Sequence, residues 1–136
     1  MPDAVRLRLF LLDYRLAVCR LGPHHEVPEW AVGGAFSSVT RTSTELSVVC
    51  REEAVPDGIR RESGWRIFQV EGPLDFALTG ILASIARPLA EAGVSLFAVS
   101  TFDTDYVMVR ERDVEAAVRA LRAVGHRVSA SRSDVR

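Results

Sequence analysis

The residues Val39–Val49 align without a gap on Val99–Val109, sixty positions later, and this doubling restricts the chain to folds built from two related units. Each copy reads as an apolar run, a polar reversal and a second apolar run, which is the pattern of a β-hairpin. In the later copy the reversal is Ser100-Thr101-Phe102-Asp103-Thr104-Asp105-Tyr106, set between Val94–Val99 and Val107–Val109. A second pair of matching signals is Gly22-Pro23 and Gly72-Pro73, fifty positions apart. The hairpins are sixty apart and these turns only fifty. The first unit therefore lacks about ten residues between its first strand and its hairpin, where the second unit has room for a full helix.

The second half carries a complete set of elements. Trp65–Glu71 is rich in aromatic and β-branched residues and is ended by Gly72-Pro73, so it reads as a strand. Leu78, Ile81, Leu82, Ile85 and Leu89 recur on one helical stripe. Pro88 removes an amide donor inside that helix, which predicts a kink or break near Arg87, and Gly93 follows as a left-handed cap. Strands are expected at Val94–Thr101 and Tyr106–Arg110. A second helix follows with Val114, Val118, Leu121 and Val124 on one face, and then a last strand over His126–Ala130. The order βαββαβ with right-handed crossovers predicts a four-stranded antiparallel sheet with two helices on one face, an α+β fold of ferredoxin-like type. The first half repeats the plan in shortened form. It has an additional strand at Arg6–Leu12, a strand at Arg15–Leu21, one helical turn around Trp30, and Pro56-Asp57-Gly58 where the second helix would run. Gly58–Gly64 reads as a linker, which divides the chain into 1–60 and 61–136.

Composition narrows the function. Seventeen basic residues, all arginine, against eighteen acidic ones give a net charge of −1. That balance provides no footprint for nucleic acid or for an anionic membrane. No apolar run approaches the ~18 residues of a membrane span, and no secretory leader is recognisable, so a cytoplasmic protein is expected. Cys19 and Cys50 lie in separate strand-like runs and read as small buried thiols.

Several of these strings together carry a family resemblance. They are Glu71-Gly72-Pro73-Leu74-Asp75-Phe76-Ala77-Leu78-Thr79-Gly80-Ile81-Leu82-Ala83, Leu89-Ala90-Glu91-Ala92-Gly93-Val94-Ser95, Ser100–Tyr106, Leu16–Leu21 and Ser38–Thr42. The chain resembles the branch of ACT-domain proteins that includes the cytosolic arginine sensors and short bacterial members with two units in tandem. The resemblance implies a regulatory module, not an enzyme and without a cofactor, that binds an amino acid. In such modules the ligand sits where a first strand–helix loop meets a neighbouring unit's strands.

That implication selects Glu71, Gly72, Pro73, Asp75, Leu78, Thr79, Ser100, Thr101 and Asp105 as ligand-contact candidates. Their chemistry suits a zwitterion. Gly72 lets backbone come close, the amides opening the helix can receive a carboxylate, and Asp75 and Thr79 can bond an ammonium or else cap the helix. Asp103 and Thr104 are turn residues, whereas Asp105 begins a strand and aligns with Glu45, another acid. Ser100 and Thr101 would point to opposite faces of a strand, so one of them is expected at the site. His24, His25 and His126 have no spacing for a metal, and Asp103-x-Asp105 reads as a turn. The third strand of the complete unit lacks the aromatics of an RNA binder, and Gly72-Pro73-Leu74-Asp75 is the wrong loop for phosphate. Two rival functions use the same residues: a partner-binding protein whose ligand site has decayed, and a small enzyme using Asp75 and Asp105 as acid and base. Exposed sheet edges predict a homodimer.

Overall fold

The computed structural model describes residues 5–75 and 79–130. The fold is α+β, with strands β1 (Arg8–Leu11), β2 (Leu16–Leu21), β3 (Ser38–Arg41), β4 (Leu46–Arg51), β5 (Arg60–Val70), β6 (Phe97–Ser100), β7 (Asp105–Arg110) and β8 (Arg127–Ala130). The helices are α1 (Ile81–Glu91) and α2 (Val114–Ala123). By packing, the chain falls into two units. Tyr14–Trp65 forms one, and residues 5–13 with 66–130 form the other.

In the helical unit the strand order is β6-β7-β5-β1-β8. This differs from the predicted four-stranded antiparallel sheet. The N-terminal strand β1 is inserted between the first and last strands of the βαββαβ unit, pairing antiparallel with β5 and parallel with β8. The unit's sheet therefore has five strands and is mixed. The insertion also makes the packing boundary differ from a division at residue 60, because β1 is grouped with residues from the other end of the sequence. Leu9 and Phe68 are fully buried, and both helices contribute to the same cluster through Ile85, Leu89, Ala117 and Leu121.

The helix-poor unit has the strand order β3-β4-β2-β5, the same order with both helices reduced to single 3-10 turns at Glu29–Ala31 and Glu52–Ala54. Its closing strand is the first half of β5, where Arg20 faces Arg60 and Leu16 faces Trp65. Residues 60–64, expected as linker, are thus strand. Arg61 shows why they are ordered: its guanidinium donates to the carbonyls of Ile59, Val55 and Pro56, closing the turn that replaces a helix.

Helix α1 is continuous through Pro88, so of the kink or break expected near Arg87 the break does not occur. Proline leaves the carbonyl of Ser84 without its helical donor, and His126 Nε2 lies 2.9 Å from that oxygen. The other ring nitrogen, Nδ1, accepts from the Leu7 amide at 3.0 Å, which fixes the Nε2–H tautomer and makes Nε2 the donor to Ser84. Gly93 (φ 76°) caps the helix as expected, with the Val94 amide bonded to the Leu89 carbonyl at 2.9 Å. Val124, expected on the buried face of the second helix, is exposed, and Ala117 is buried instead.

Cys19 and Cys50 are free and buried on one face of the β2–β4 pair, diagonally across the two strands from one another. Burial raises Cys19 to about 11, with the adjacent Cys50 adding to the effect, and burial raises Cys50 as well. The folded chain holds these protons to higher pH than the unfolded chain does. Between the ordinary thiol value and about 11 it therefore binds more protons, and stability falls as pH rises through that window. Denaturant unfolding at the two ends of the window should show this decline, and Cys19→Ala should flatten it. An unchanged slope in that variant would contradict the assignment.

Candidate functional site

The helical unit carries a groove of about 320 Å³ between the segment leading into α1 and the β6–β7 hairpin. It is lined by Leu74, Asp75 and Gly80 to Leu82 on one side and by Ser100 to Asp105 on the other. Two backbone-directed bonds tie the hairpin to the segment after β5 and to the end of β5, and a third closes the hairpin's own turn. The Leu74 amide donates to the Asp103 carbonyl (2.7 Å), the buried Thr104 hydroxyl donates to the Val70 carbonyl (2.6 Å), and the Thr101 amide closes the turn on the Thr104 carbonyl (2.8 Å). Gly72 makes the approach possible. A Cβ there would lie 2.9 Å from the Asp103 carbonyl oxygen and 3.0 Å from Thr104 Cβ. The neighbour that this glycine admits in the structure is the hairpin backbone.

The groove brings together Asp75, Ser100, Thr101 and Asp105 from among the expected residues. Ser100 Oγ donates to Asp105 Oδ1 at 2.6 Å and so orients that carboxylate. Ser100 and Thr101 both line the groove, because β6 ends at Ser100 and strand alternation does not extend to Thr101. Glu71, Gly72, Pro73 and Thr79 are exposed and do not line the groove, and the Glu71 amide donates to the Arg8 carbonyl (2.8 Å). Leu78 lies outside the described residues. Sequence reasoning missed Phe102 and Leu82. Phe102 is 80% exposed at the hairpin tip. Leu82 was expected on the buried stripe, yet it is exposed and lines the groove. Asp103, whose residue type favours turns but which stands beside Asp105 as a second possible ligand carboxylate, also lines it.

The lining contains three carboxylates and no basic side chain. Burial, and then the nearby Asp103 carboxylate, raise the Tyr106 phenol above its ordinary value. Among the described residues no three His, Cys, Asp or Glu side chains gather as metal ligands, and no helix is long and apolar enough to cross a membrane.

By strand register the two hairpins correspond one residue away from the ungapped alignment. The last pair before the turn is Arg41–Leu46 in β3–β4 and Ser100–Asp105 in β6–β7, a shift of fifty-nine. The turn bonds agree. The Thr42 amide meets the Glu45 carbonyl at 2.9 Å, and the Glu45 amide meets Thr42 Oγ1 at 3.2 Å. These match the Thr101 amide on the Thr104 carbonyl and the Thr104 amide on Thr101 Oγ1 (3.2 Å). Glu45 thus corresponds to Thr104, and Asp105 corresponds to the buried Leu46. The expected pairing of Asp105 with Glu45 does not hold.

A family model of the ACT domain matches residues 60–123, and a model of an N-terminal domain matches residues 14–58. The cytosolic arginine sensor for mTORC1 subunit 1 of Bos taurus is 31% identical over 97 residues, 63% of this chain and 30% of that protein. The chain therefore spans less than a third of that curated relative's length. The crystal structure of protein Atu0741 from Agobacterium tumefaciens is similar over 98% of this chain and 99% of its own, with 38% identity and a TM-score of 0.90. The regulatory subunit of aspartate kinase from Thermus thermophilus shares the fold, with a TM-score of 0.61 at 12% identity over 86% of this chain and 97% of its own. The chain belongs to one family with the Agobacterium protein and is an ACT-domain protein of the branch that includes the cytosolic arginine sensors.

Proposed function

We propose that this chain is a non-catalytic regulatory protein that senses an amino acid in the groove between residues 71–80 and the β6–β7 hairpin. The reading rests on one observation. A small-molecule-sized groove is lined by the first residues of α1 on one side and by carboxylate-bearing residues of the hairpin on the other, and a helix start and carboxylates are complementary to the two charges of a zwitterion. The ligand carboxylate faces the start of α1, and its cationic end meets Asp105, oriented by Ser100, and Asp75. Thr101 adds a hydroxyl, Gly72 and Pro73 shape the wall, Glu71 and Thr79 border the entrance, and Leu78 belongs to the same segment. Regulatory relatives of the same fold, and the arginine sensor named above, support sensing over chemistry. The sensor's cytosolic setting is the one we propose here.

Thermal shift against a panel of amino acids tests the proposal. One ligand should raise the midpoint saturably, and Asp105→Ala should weaken its apparent affinity by about tenfold, the loss of one charge-assisted hydrogen bond. A panel without response would overturn the reading.

We also propose a homodimer, because β3, β6 and β8 each present an edge that no other described strand covers. Sedimentation at micromolar concentration should give the dimer mass, and a monomer would count against it.

A further inference from the structure

The same junction of loop and hairpin exists in the helix-poor unit, but it is held by different chemistry. There Arg41, at the end of β3, donates through Nη1 to the Pro23 carbonyl at 2.5 Å. Arg20, on β2, donates through Nη2 to the Thr44 carbonyl at 2.9 Å. One guanidinium runs from hairpin to loop and the other from strand to hairpin. In the helical unit the equivalent span is made by the Leu74 amide and the Thr104 hydroxyl. By the shift of fifty-nine, Thr44 corresponds to Asp103. The carbonyl at this turn position thus accepts a bond from across the junction in both units, from a backbone amide in one and from a guanidinium in the other.

We infer that the loop–hairpin junction of the helix-poor unit is a guanidinium-binding site filled from within by Arg41 and Arg20. Both contacts lie at the exposed surface, where carbonyl oxygens with no proton to give suit a cation that cannot lose its own and a planar guanidinium can bond a carbonyl with one edge while the other stays in water. The arrangement also accounts for Arg20 standing directly opposite Arg60 across β2 and β5. Like charges in that position destabilise a strand pair, and the Thr44 carbonyl draws the Arg20 head group towards the hairpin. The inference stands on the hairpin's own bonds and not on the ligand proposed for the groove of the other unit.

Chemical rescue tests it. In Arg41→Ala, amide NMR resonances of Thr42, Thr44 and Glu45 should move from their native positions, and methylguanidinium at millimolar concentration should return them saturably. Methylammonium should not do so, and in the native chain the same resonances should stay fixed, because the site is already filled. Arg20→Ala repeats the test from the other side of the junction should Arg41→Ala disturb the hairpin too far. Absence of rescue in both variants, or an equal response in the native chain, would overturn the inference. Resonances of Ser100–Asp105 report separately on the other groove, so failure of one reading is distinguishable from failure of the other.

Discussion

Alanine in place of His126 is expected to lower the free energy of unfolding by about 3 kcal/mol, a large share of the roughly 5–15 kcal/mol that holds a domain of this size together. The ring is 3% exposed and serves two backbone groups from two other elements. It accepts from the Leu7 amide just before β1, and it donates to the Ser84 carbonyl that Pro88 leaves without a helical partner. Alanine leaves both groups in a part-buried setting without that partner and removes the apolar contacts of the ring. Each lost bond contributes about 1 kcal/mol and the lost burial about as much again. Glutamine and asparagine reach one of the two groups at most, so neither should restore the native value. Denaturant unfolding reads the effect, and a loss below about 1 kcal/mol would show that α1 tolerates Pro88 for another reason.

Gly72→Ala is the second large effect, expected at about 2 kcal/mol together with a weakened ligand response. The added methyl would meet a backbone oxygen, that of Asp103 at 2.9 Å, which cannot swing aside as a flexible side chain could. Either the hairpin or the loop must move, and the Leu74-to-Asp103 and Thr104-to-Val70 bonds lengthen with it. The reduced freedom of the unfolded chain offsets part of the cost, about 0.4–1 kcal/mol. Because the same contact sets the spacing of the two groove walls, the variant should lose stability and ligand affinity together. Loss of stability with unchanged affinity would show that the groove does not depend on this contact.

The repeat, the βαββαβ order and the shortened first unit were all legible because glycine-proline turns and helical stripes are local signals. Register was not. Val48, Val49 and Cys50 are buried at three consecutive positions, as are Val107, Met108 and Val109. Strands covered on both faces lose the apolar–polar alternation that would place them, so a slip of one residue left the ungapped alignment looking sound. That slip created the false match of Asp105 with Glu45. The insertion of β1 was hidden for a different reason. Its pairing with β8 joins Arg8 to Arg127, and no local pattern reports so distant a partner. Pro88 removes a donor as its chemistry requires, but the replacement comes from His126, a residue whose sequence context points to neither a metal nor a catalytic role and gives no sign of this one. Of the site, the polar residues were visible, while Leu82 and Phe102 were not, since an apolar residue on a helix or at a turn reads first as core.

The central claim is that the groove of the helical unit binds an amino acid through Asp105. Isothermal titration of the full chain with the amino acid that gives the largest thermal shift, set beside Asp105→Ala, tests it most directly. Saturable binding at one site per helical unit, weakened about tenfold in the variant and accompanied by amide shifts confined to residues 71–75 and 79–82 and to the hairpin 100–105, is the predicted result. Binding of equal strength in the variant, or shifts located elsewhere in the chain, would contradict the account.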